Sequence, residues 1–578
     1  MKKLILGNDA FARGLYEAGC SFVSSYPGTP STEITESVAK YPEIYAEWAP
    51  NEKVAMEASF GAALAGKRSF CGMKHVGMNV AADPMFTISY TGVNAGMVIG
   101  VADDPGMHSS QNEQDSRNYG KAAHLPVLEP SDSQDALSLV KAAYELSETF
   151  DTPVIVRMCT RVAHSQSIAE LSPREEAPAK PYVKNPSKYI MMPGYAKLRR
   201  PMIEQRDRAL AEYAYKAPFN RIEWGAERKL GIITASTCYQ YVREVCGDDV
   251  SVLKLGMTWP LSDVLLREFC SQVEKVIVVE EGDSFIEDYC KTIGLAVEGK
   301  ERFSRIGELS QSLVAKGLSL PHTDGTALDR EIPNRPPALC AGCPHRGIYY
   351  VLSKLKLTVI GDIGCYTLGA IAPLNSLDAV VCMGASISGI HGFLKATGED
   401  SASKTVAVIG DSTFMHSGMT GLVNIAYNNS NSTVIILDNS ITGMTGHQQN
   451  PTTGFNLKGD PAAKVDLEAL CHALGIARVR VVDPYDLKSC EEAIREELSA
   501  NEPSVIIARR PCALLKYVKH NGPIKVDTTK CIGCKMCMKA GCPAIRMKDG
   551  KAEIDNTLCT GCGICSQLCK VKAIGGNE

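Results

Sequence analysis

Tryptophan is scarce in this chain, with three in 578 residues, and aromatic residues make up only 6% of it. No substrate pocket built on aromatic stacking can be read from so thin a supply. Long apolar runs are missing too. None reaches the roughly eighteen residues that a membrane span needs, so no membrane partner is expected. Charge of one sign is also lacking, with 61 basic against 65 acidic residues and a net charge of −4. A nucleic-acid surface is therefore not expected, because such surfaces carry a marked basic excess. Residues 1–6 are basic and then briefly apolar, but Gly7-Asn8-Asp9 ends that run too early for a secretory signal. These absences point to a cytoplasmic chain, long enough for roughly three to five domains with cores of their own.

Cysteine, by contrast, is plentiful and unevenly placed. Eight of the 22 lie in the last fifty residues, as Cys531-x2-Cys534-x2-Cys537-x4-Cys542-Pro543 and Cys559-x2-Cys562-x2-Cys565-x3-Cys569. Two such runs are the ligand spacing of a two-cluster bacterial ferredoxin. Three thiolates two residues apart wrap one iron–sulfur cube, and the fourth of each run lies too far along to close on the same one. The assignment is therefore crossed: Cys531, Cys534, Cys537 and Cys569 hold one [4Fe-4S] cluster, and Cys559, Cys562, Cys565 and Cys542 the other. Zinc is the weaker reading, since zinc sites use pairs of CxxC rather than triplets. The other fourteen cysteines, in contexts such as Val381-Cys382-Met383, are expected to be small core residues of a reducing, low-oxygen cytoplasm.

Upstream of the tail, short apolar runs alternate with small-residue helical stretches and Gly/Pro turns, which predicts α/β domains with parallel sheets covered on both faces. The expected divisions are a first α/β domain over 1–170 and a linker over 171–226 with a basic helical stretch at 199–215. A second α/β domain follows over 227–322 and a third over 323–515, entered through a polar, proline-rich connection. An α+β ferredoxin-like domain closes the chain over 520–578. Strands are expected at 230–234, 252–255 and 276–279, and then at 359–360, 379–382, 405–409 and 433–437.

The third α/β domain carries Gly410-Asp411-Ser412 directly after an apolar strand, and Asn439 directly after another, 28 residues beyond Asp411. This is the thiamine-diphosphate signature. Both positions fall at carboxyl ends of parallel strands, where open α/β sheets bind ligands. The Asp411 and Asn439 oxygens suit Mg²⁺, and the backbone carbonyl of Ile441 completes the set. Ser412, with the helix that follows, can offer N–H groups to phosphate. Gly361-Asp362-Ile363-Gly364-Cys365 and Met383-Gly384-Ala385 are further glycine turns for the cofactor cradle, each equally readable as a tight turn. The cofactor also needs a carboxyl against its aminopyrimidine ring. Glu52, heading a small-residue helix with glycines at 61 and 66, is the candidate, with Glu57 as the alternative.

With these parts in one chain the sequence resembles the 2-oxoacid:ferredoxin oxidoreductases, and among them the alpha subunits of the indolepyruvate type. The resemblance spans essentially the whole chain. It rests on Tyr26-Pro27-Gly28-Thr29-Pro30-Ser31-Thr32, Asn51-Glu52-Lys53-Val54-Ala55, Ser109-Ser110-Gln111-Asn112-Glu113-Gln114-Asp115-Ser116-Arg117, Cys340-Ala341-Gly342-Cys343-Pro344-His345-Arg346-Gly347 and Gly361-Asp362-Ile363-Gly364-Cys365-Tyr366. Two departures are the fourth residue before Cys542, where the family pattern has three, and Lys570 where it has proline.

The resemblance implies a pyrimidine-type domain, a transketolase C-terminal-like domain and a diphosphate-type domain. It implies that Thr29, Gly364 and Cys365 touch the cofactor, and that Cys343 and His345 line the diphosphate or substrate pocket. Cys340-x2-Cys343 alone, with no third cysteine near it in sequence, is a poor metal site and reads equally as two buried thiols. Lys74 and His75, after an apolar turn at Cys71, are expected to face the thiazolium or the substrate carboxylate, a structural histidine being the alternative. Arg117 is a candidate for a carboxylate or for coenzyme A phosphate.

The implied reaction is oxidative decarboxylation of a 2-oxoacid, arylpyruvates for this type, with electrons passing singly through the clusters to ferredoxin and the acyl group to coenzyme A. The implied partners are a small beta subunit and a second alpha or alpha–beta unit. Alternatives are the same chemistry on pyruvate or branched-chain 2-oxoacids, a non-oxidative thiamine decarboxylase or carboligase, and an electron-transfer subunit whose cofactor domains have decayed.

Overall fold

The computed structural model describes residues 1–575 except 179, 323, 324, 326 and 327. The expected start of the third domain at 323 and the last three residues of the tail thus lie outside the described residues. The chain forms two compact units, Met1–Asp329 and Arg330–Glu578.

In the first unit a seven-stranded sheet runs in the order Met257–Trp259, Val127–Leu128, Val154–Cys159, Met97–Asp103, Ser69–Lys74, Phe22–Ser25, Tyr45–Trp48. All its pairs are parallel except the first. Its central strands are buried at every residue, which is why they read as continuous apolar runs rather than alternating ones. Cys71 lies within the strand Ser69–Lys74, not in a turn, so Lys74 ends a strand and His75 begins the helix His75–Thr91. A second sheet orders Lys275–Val279, Leu230–Ala235, Ser251–Leu255 and Arg221–Glu223. Met257–Trp259, only two residues past the strand Ser251–Leu255, pairs antiparallel with Val127–Leu128 of the first sheet. The stretch 171–226 contains the helix Pro193–Lys216, longer than the sequence suggested. Two buried arginines pin it: Arg199 donates to Tyr90 O (2.7 Å), and Arg206 to Ser89 O (3.0 Å) and His124 O (3.0 Å).

The second unit is built on a five-stranded parallel sheet: Thr358–Ile360, Thr405–Gly410, Thr433–Asp438, Ser504–Arg509, Arg478–Val482. Alternate side chains of the central strands feed a core on each face, Val408 and Ile435 on one and Ile409 and Ile436 on the other. No strand forms over 379–382. Ala379 makes a single bridge to Ile360, while the Asp378 carboxylate takes the Val359 N–H (2.7 Å). Beyond Ala379 the chain leaves the sheet, so that the Gly384 and Ser386 amides reach the Asp362 carboxylate, and Val381 and Cys382 turn outward, Val381 being 70% exposed. The expectation of a core thiol at Cys382 is corrected with it. The tail folds as two short antiparallel ribbons, Ile545–Lys548 with Lys551–Ile554 and Lys525–Val526 with Ile574–Gly575. It is not merely tethered, because Ala540, Ile564 and Leu568 pack into the core on one face of the large sheet.

Candidate active site and electron path

Asp411 and Asn439 follow the neighbouring parallel strands Thr405–Gly410 and Thr433–Asp438 without a gap. Adjacent strand ends bring together two residues far apart in sequence. The Asn439 side-chain oxygen lies 2.8 Å from Ile441 O and 3.2 Å from Asp411 Oδ1. Three oxygens, none of them a donor, thus face one another, and a hard cation is the partner that makes such a set favourable. Exchanging the amide O and N would also relieve it, but His345 argues for the orientation as it stands. Burial pushes His345 down to about 4, so its neutral ring can accept from Asn439 Nδ2 at 3.4 Å, leaving Oδ1 turned to the cage. Buried Asp411 is pushed up to about 7, by desolvation first and then by Asp438, a cost that a divalent ion would offset. Thr452 Oγ1 donates to Asp411 Oδ2 (3.1 Å), and Thr442 Oγ1 to Ser412 Oγ (2.8 Å).

Two residues that the sequence places in a glycine turn without assigning them a role organise this cradle. The buried Asp362 carboxylate accepts from Ile363 N (2.8 Å), Gly384 N (2.9 Å) and Ser386 N (3.0 Å), tying two of the glycine turns together. Gly384 needs its glycine, because φ is +88° and a Cβ would come 2.6 Å from that of Ser417. Tyr366 is the second. Its hydroxyl donates to Ile363 O (2.9 Å) and lies 3.1 Å from Thr413 Oγ1, and its ring stands edge-on to His345. That ring lies so close to Gly410 and Gly364 that a Cβ at either would come within 2.5 Å of it. Gly-Asp with an aromatic three to five residues on was visible in the sequence; which glycine the ring would meet was not.

Cys340 and Cys343 are not isolated, as their spacing alone suggested. Burial pushes Cys343 up to about 12, with smaller upward contributions from Cys340 and Cys365. Cys365 is raised to about 11 by burial and then by Cys512 and Cys340. The parallel sheet has gathered four thiols from three separate segments beside the diphosphate cradle: Gly443 would put a Cβ 3.4 Å from Cys365 Sγ and 3.9 Å from Asn439 Nδ2.

In the tail, one small cavity is lined by Cys531, Cys534, Cys537 and Cys569, and another by Cys542, Cys559, Cys562 and Cys565. Each holds the crossed set of four. Backbone amides point at the sulfurs: Ala552 N donates to Cys531 Sγ (3.4 Å), Ala573 N to Cys569 Sγ (3.2 Å) and Ile524 N to Cys559 Sγ (3.5 Å). Donors of this kind stabilise anionic sulfur. Among the described residues no three His, Cys, Asp or Glu side chains converge as a single metal ion would require. The eight cysteines therefore build two cavities rather than ion-sized knots.

In the first unit, Glu52 heads the helix Glu52–Leu64, capped by Asn51, whose side chain accepts from Val54 N (2.9 Å). Its buried side chain lies against Gly77, where a Cβ would come 2.5 Å from Oε1. Glu57 is exposed and ion-paired to Lys53. Lys74 Nζ donates to Ser109 O (2.7 Å), and burial lowers its pKa to about 8. Ser109 Oγ in turn reaches Thr29 O (3.4 Å). His75 Nε2 pairs with Asn112 O (3.2 Å), burial lowers its pKa, and its Nδ1 is buried without a hydrogen-bond partner. Thr29, Lys74, His75 and Glu52 thus cluster at one strand end. Arg117 does not join them: fully buried, it is held by Asp115 Oδ1 (2.9 Å) and Glu280 (2.6 Å). Its donors are spent on internal carboxylates, so it is not presented to an outside carboxylate or phosphate.

Three family profiles match the chain. "Pyruvate flavodoxin/ferredoxin oxidoreductase, thiamine diP-bdg" covers residues 13–218, "Thiamine pyrophosphate enzyme, C-terminal TPP binding domain" covers 362–508, and "4Fe-4S dicluster domain" covers 523–570. The chain is similar to three proteins named indolepyruvate oxidoreductase subunit IorA. That of Archaeoglobus fulgidus is 38% identical over 99% of this chain and 97% of its own. That of Pyrococcus horikoshii is 40% identical over 94% and 92%, and that of Methanothermobacter marburgensis 39% over 99% and 96%. With identity of this order along nearly its whole length, the chain belongs to the indolepyruvate oxidoreductase IorA family, an enzyme family of thiamine-diphosphate-dependent, ferredoxin-linked 2-oxoacid oxidation.

Proposed function

We propose that the chain is the catalytic subunit for oxidative decarboxylation of arylpyruvates of the indolepyruvate type, with coenzyme A receiving the acyl group and ferredoxin the electrons. Bound thiamine diphosphate supplies the carbon nucleophile and electron sink of such a reaction. The chain's own residues supply the rest. Asp411, Asn439 and the Ile441 carbonyl hold Mg²⁺ against the diphosphate. Glu52 takes up the proton traffic of the aminopyrimidine ring, a role that Glu57 on the surface cannot fill. The Lys74 cation meets the substrate carboxylate, and Thr29 and His75 line the same end. Gly364, Cys365, Gly384, Gly410, Ser412, Cys343 and His345 shape the diphosphate cradle. Two [4Fe-4S] clusters carry the electrons out.

The observation that carries this reading is the three-oxygen cage at Asp411, Asn439 and Ile441 in the same unit as two four-cysteine cavities. A non-oxidative decarboxylase has no use for the second feature. The aryl preference is supported by the names of relatives 38–40% identical along almost the entire chain. The word "subunit" in those names supports a small beta partner, and the cofactor class supports an assembly of at least two alpha chains. The test is dye reduction by anaerobically co-expressed alpha and beta subunits, with aryl, branched-chain and short 2-oxoacids, with and without coenzyme A. Indolepyruvate oxidation that depends on coenzyme A is expected. Preference for pyruvate, or indifference to coenzyme A, would overturn the assignment.

A further inference from the structure

The two cluster cavities have different surroundings. The one at Cys542, Cys559, Cys562 and Cys565 is lined on one side by Ala341 and Gly342, residues of the diphosphate domain. It sits where the tail is fused to that domain. Arg346 donates to Ala540 O (2.8 Å) and Leu339 O (2.7 Å), and Gln567 Nε2 to Tyr485 O (2.7 Å). The cavity at Cys531, Cys534, Cys537 and Cys569 is lined by tail residues alone. Its rim is open: Cys534 is exposed, and Ile532 and Val571, both on the lining, are 67% and 37% exposed.

That rim is also positively charged. Over 520–578 nine lysines and arginines stand against five acidic residues, in a chain that is negative overall. Four of the lysines lie beside the outer cavity and are exposed: Lys530 and Lys535 next to Cys531 and Cys534, and Lys570 and Lys572 on either side of Val571. Lys530 shares its charge with Asp527 at 3.1 Å. Among the described residues no carboxylate lies within ion-pairing distance of Lys535, Lys570 or Lys572. An exposed apolar spot ringed by unpaired cations is the anatomy of a polar-rimmed, transient docking surface.

We propose that the cluster at Cys531, Cys534, Cys537 and Cys569 is the electron exit, and that Ile532 and Val571 with Lys535, Lys570 and Lys572 form the docking surface for an acidic one-electron carrier protein. The proposal rests on the oxidoreductase reading above and names which end of the tail that reading uses. Each docking event moves one electron: the outer cluster is oxidised by one and the carrier's centre reduced by one. Two such events clear the electron pair released from one 2-oxoacid. The inner cluster, walled by the diphosphate domain, refills the outer one between events.

A stopped-flow experiment tests this without any 2-oxoacid, so the substrate assignment can fail without touching it. The holoenzyme is reduced photochemically and mixed with an oxidised acidic two-cluster ferredoxin or, separately, with a small neutral dye. For the wild type the ferredoxin rate should fall as salt is raised. In the triple variant K535E/K570E/K572E the second-order rate constant with ferredoxin should drop by at least about tenfold at low ionic strength and lose its salt dependence, as expected when steering charges are reversed. The neutral-dye rate and the cluster signals in electron paramagnetic resonance should stay unchanged. A ferredoxin rate within about twofold of wild type would overturn the proposal. So would a parallel loss with the neutral dye, which would make the lysines tuners of the cluster instead.

Discussion

The tail's eight cysteines fall within 39 residues, whereas Cys340, Cys343, Cys365 and Cys512 are strewn over 173. In the tail, turns two residues long place successive thiols around a cavity, so ligand geometry is encoded locally and can be read from spacing. The four thiols near the diphosphate cradle meet only because a parallel sheet brings the ends of distant segments side by side. Their spacing in sequence says nothing of Cys365 or Cys512, and the reading of Cys340-x2-Cys343 as a poor metal site agrees with the absence, among the described residues, of three converging His, Cys, Asp or Glu side chains. Burial acts in both regions. It raises Cys343 to about 12 and Cys365 to about 11, and in the tail Cys565 to about 12, whereas Cys531, supported by backbone donors, is lowered.

Four outcomes would break or sharpen this contrast. The largest effect is expected at a residue that carries no thiol. Glu52→Gln should lower 2-oxoacid-dependent dye reduction by about 10²–10⁴-fold, the usual worth of a positioned proton-transfer group, while iron content stays at the wild-type level. Near-normal turnover would dismiss Glu52 as the activating carboxyl, and lost iron would show that the cofactor and thiol regions are not separable. Next, Cys542→Ser should remove about four of the tail's roughly eight irons, and specifically the cluster shared with Cys559, Cys562 and Cys565. Loss instead of the cluster at Cys531, Cys534 and Cys537, its neighbours in sequence, would break the crossed assignment.

The third outcome concerns the inner four thiols. Brief anaerobic alkylation of the folded protein, mapped by mass spectrometry, should label exposed Cys340 and spare Cys343, because a thiol raised to about 12 offers little thiolate at neutral pH. Protection of all four together would mean that a common centre holds them, and the contrast with the tail would shrink. The smallest effect is a pH dependence. Burial lowers Lys74 to about 8, so it is charged below that pH and neutral above it. The KM for the 2-oxoacid should rise a fewfold between about pH 7.5 and 9 as the cation is lost, and a Lys74→Met variant should show a raised, flat profile. A wild-type KM that does not change across that range would remove Lys74 from substrate binding.

Much of the site was legible because its signals are local. A strand ending in Gly410-Asp411, a strand ending before Asn439 and a small-residue helix opening on Glu52 all survive as short patterns. Choosing between Glu52 and Glu57 needed the fold, which buries one against Gly77 and leaves the other with Lys53 in solvent. Arg117 misled for the converse reason: an arginine near polar residues reads as a ligand group until Glu280, 163 positions away, is seen to claim it. The strand expected at 379–382 stops at a single bridge from Ala379 to Ile360, because the following turn is held instead by the Asp362 carboxylate through the Gly384 and Ser386 amides.

By itself the sequence determined the α/β fold class with its 4Fe-4S tail, and it pointed to the candidate cluster ligands and the hard-oxygen residues of the diphosphate site. Each depends on spacing along a single strand end or turn, and spacing of that kind is conserved through folding. Only the tertiary structure decided that Cys365 and Cys512 stand near Cys340, that Tyr366 and Asp362 set the glycine turns, and that one four-cysteine cavity borders Ala341 and Gly342 while the other is lined by tail residues alone. Those facts depend on which distant segments a sheet and its shared core place side by side, and burial and charge partners are properties of that placement, not of the chain.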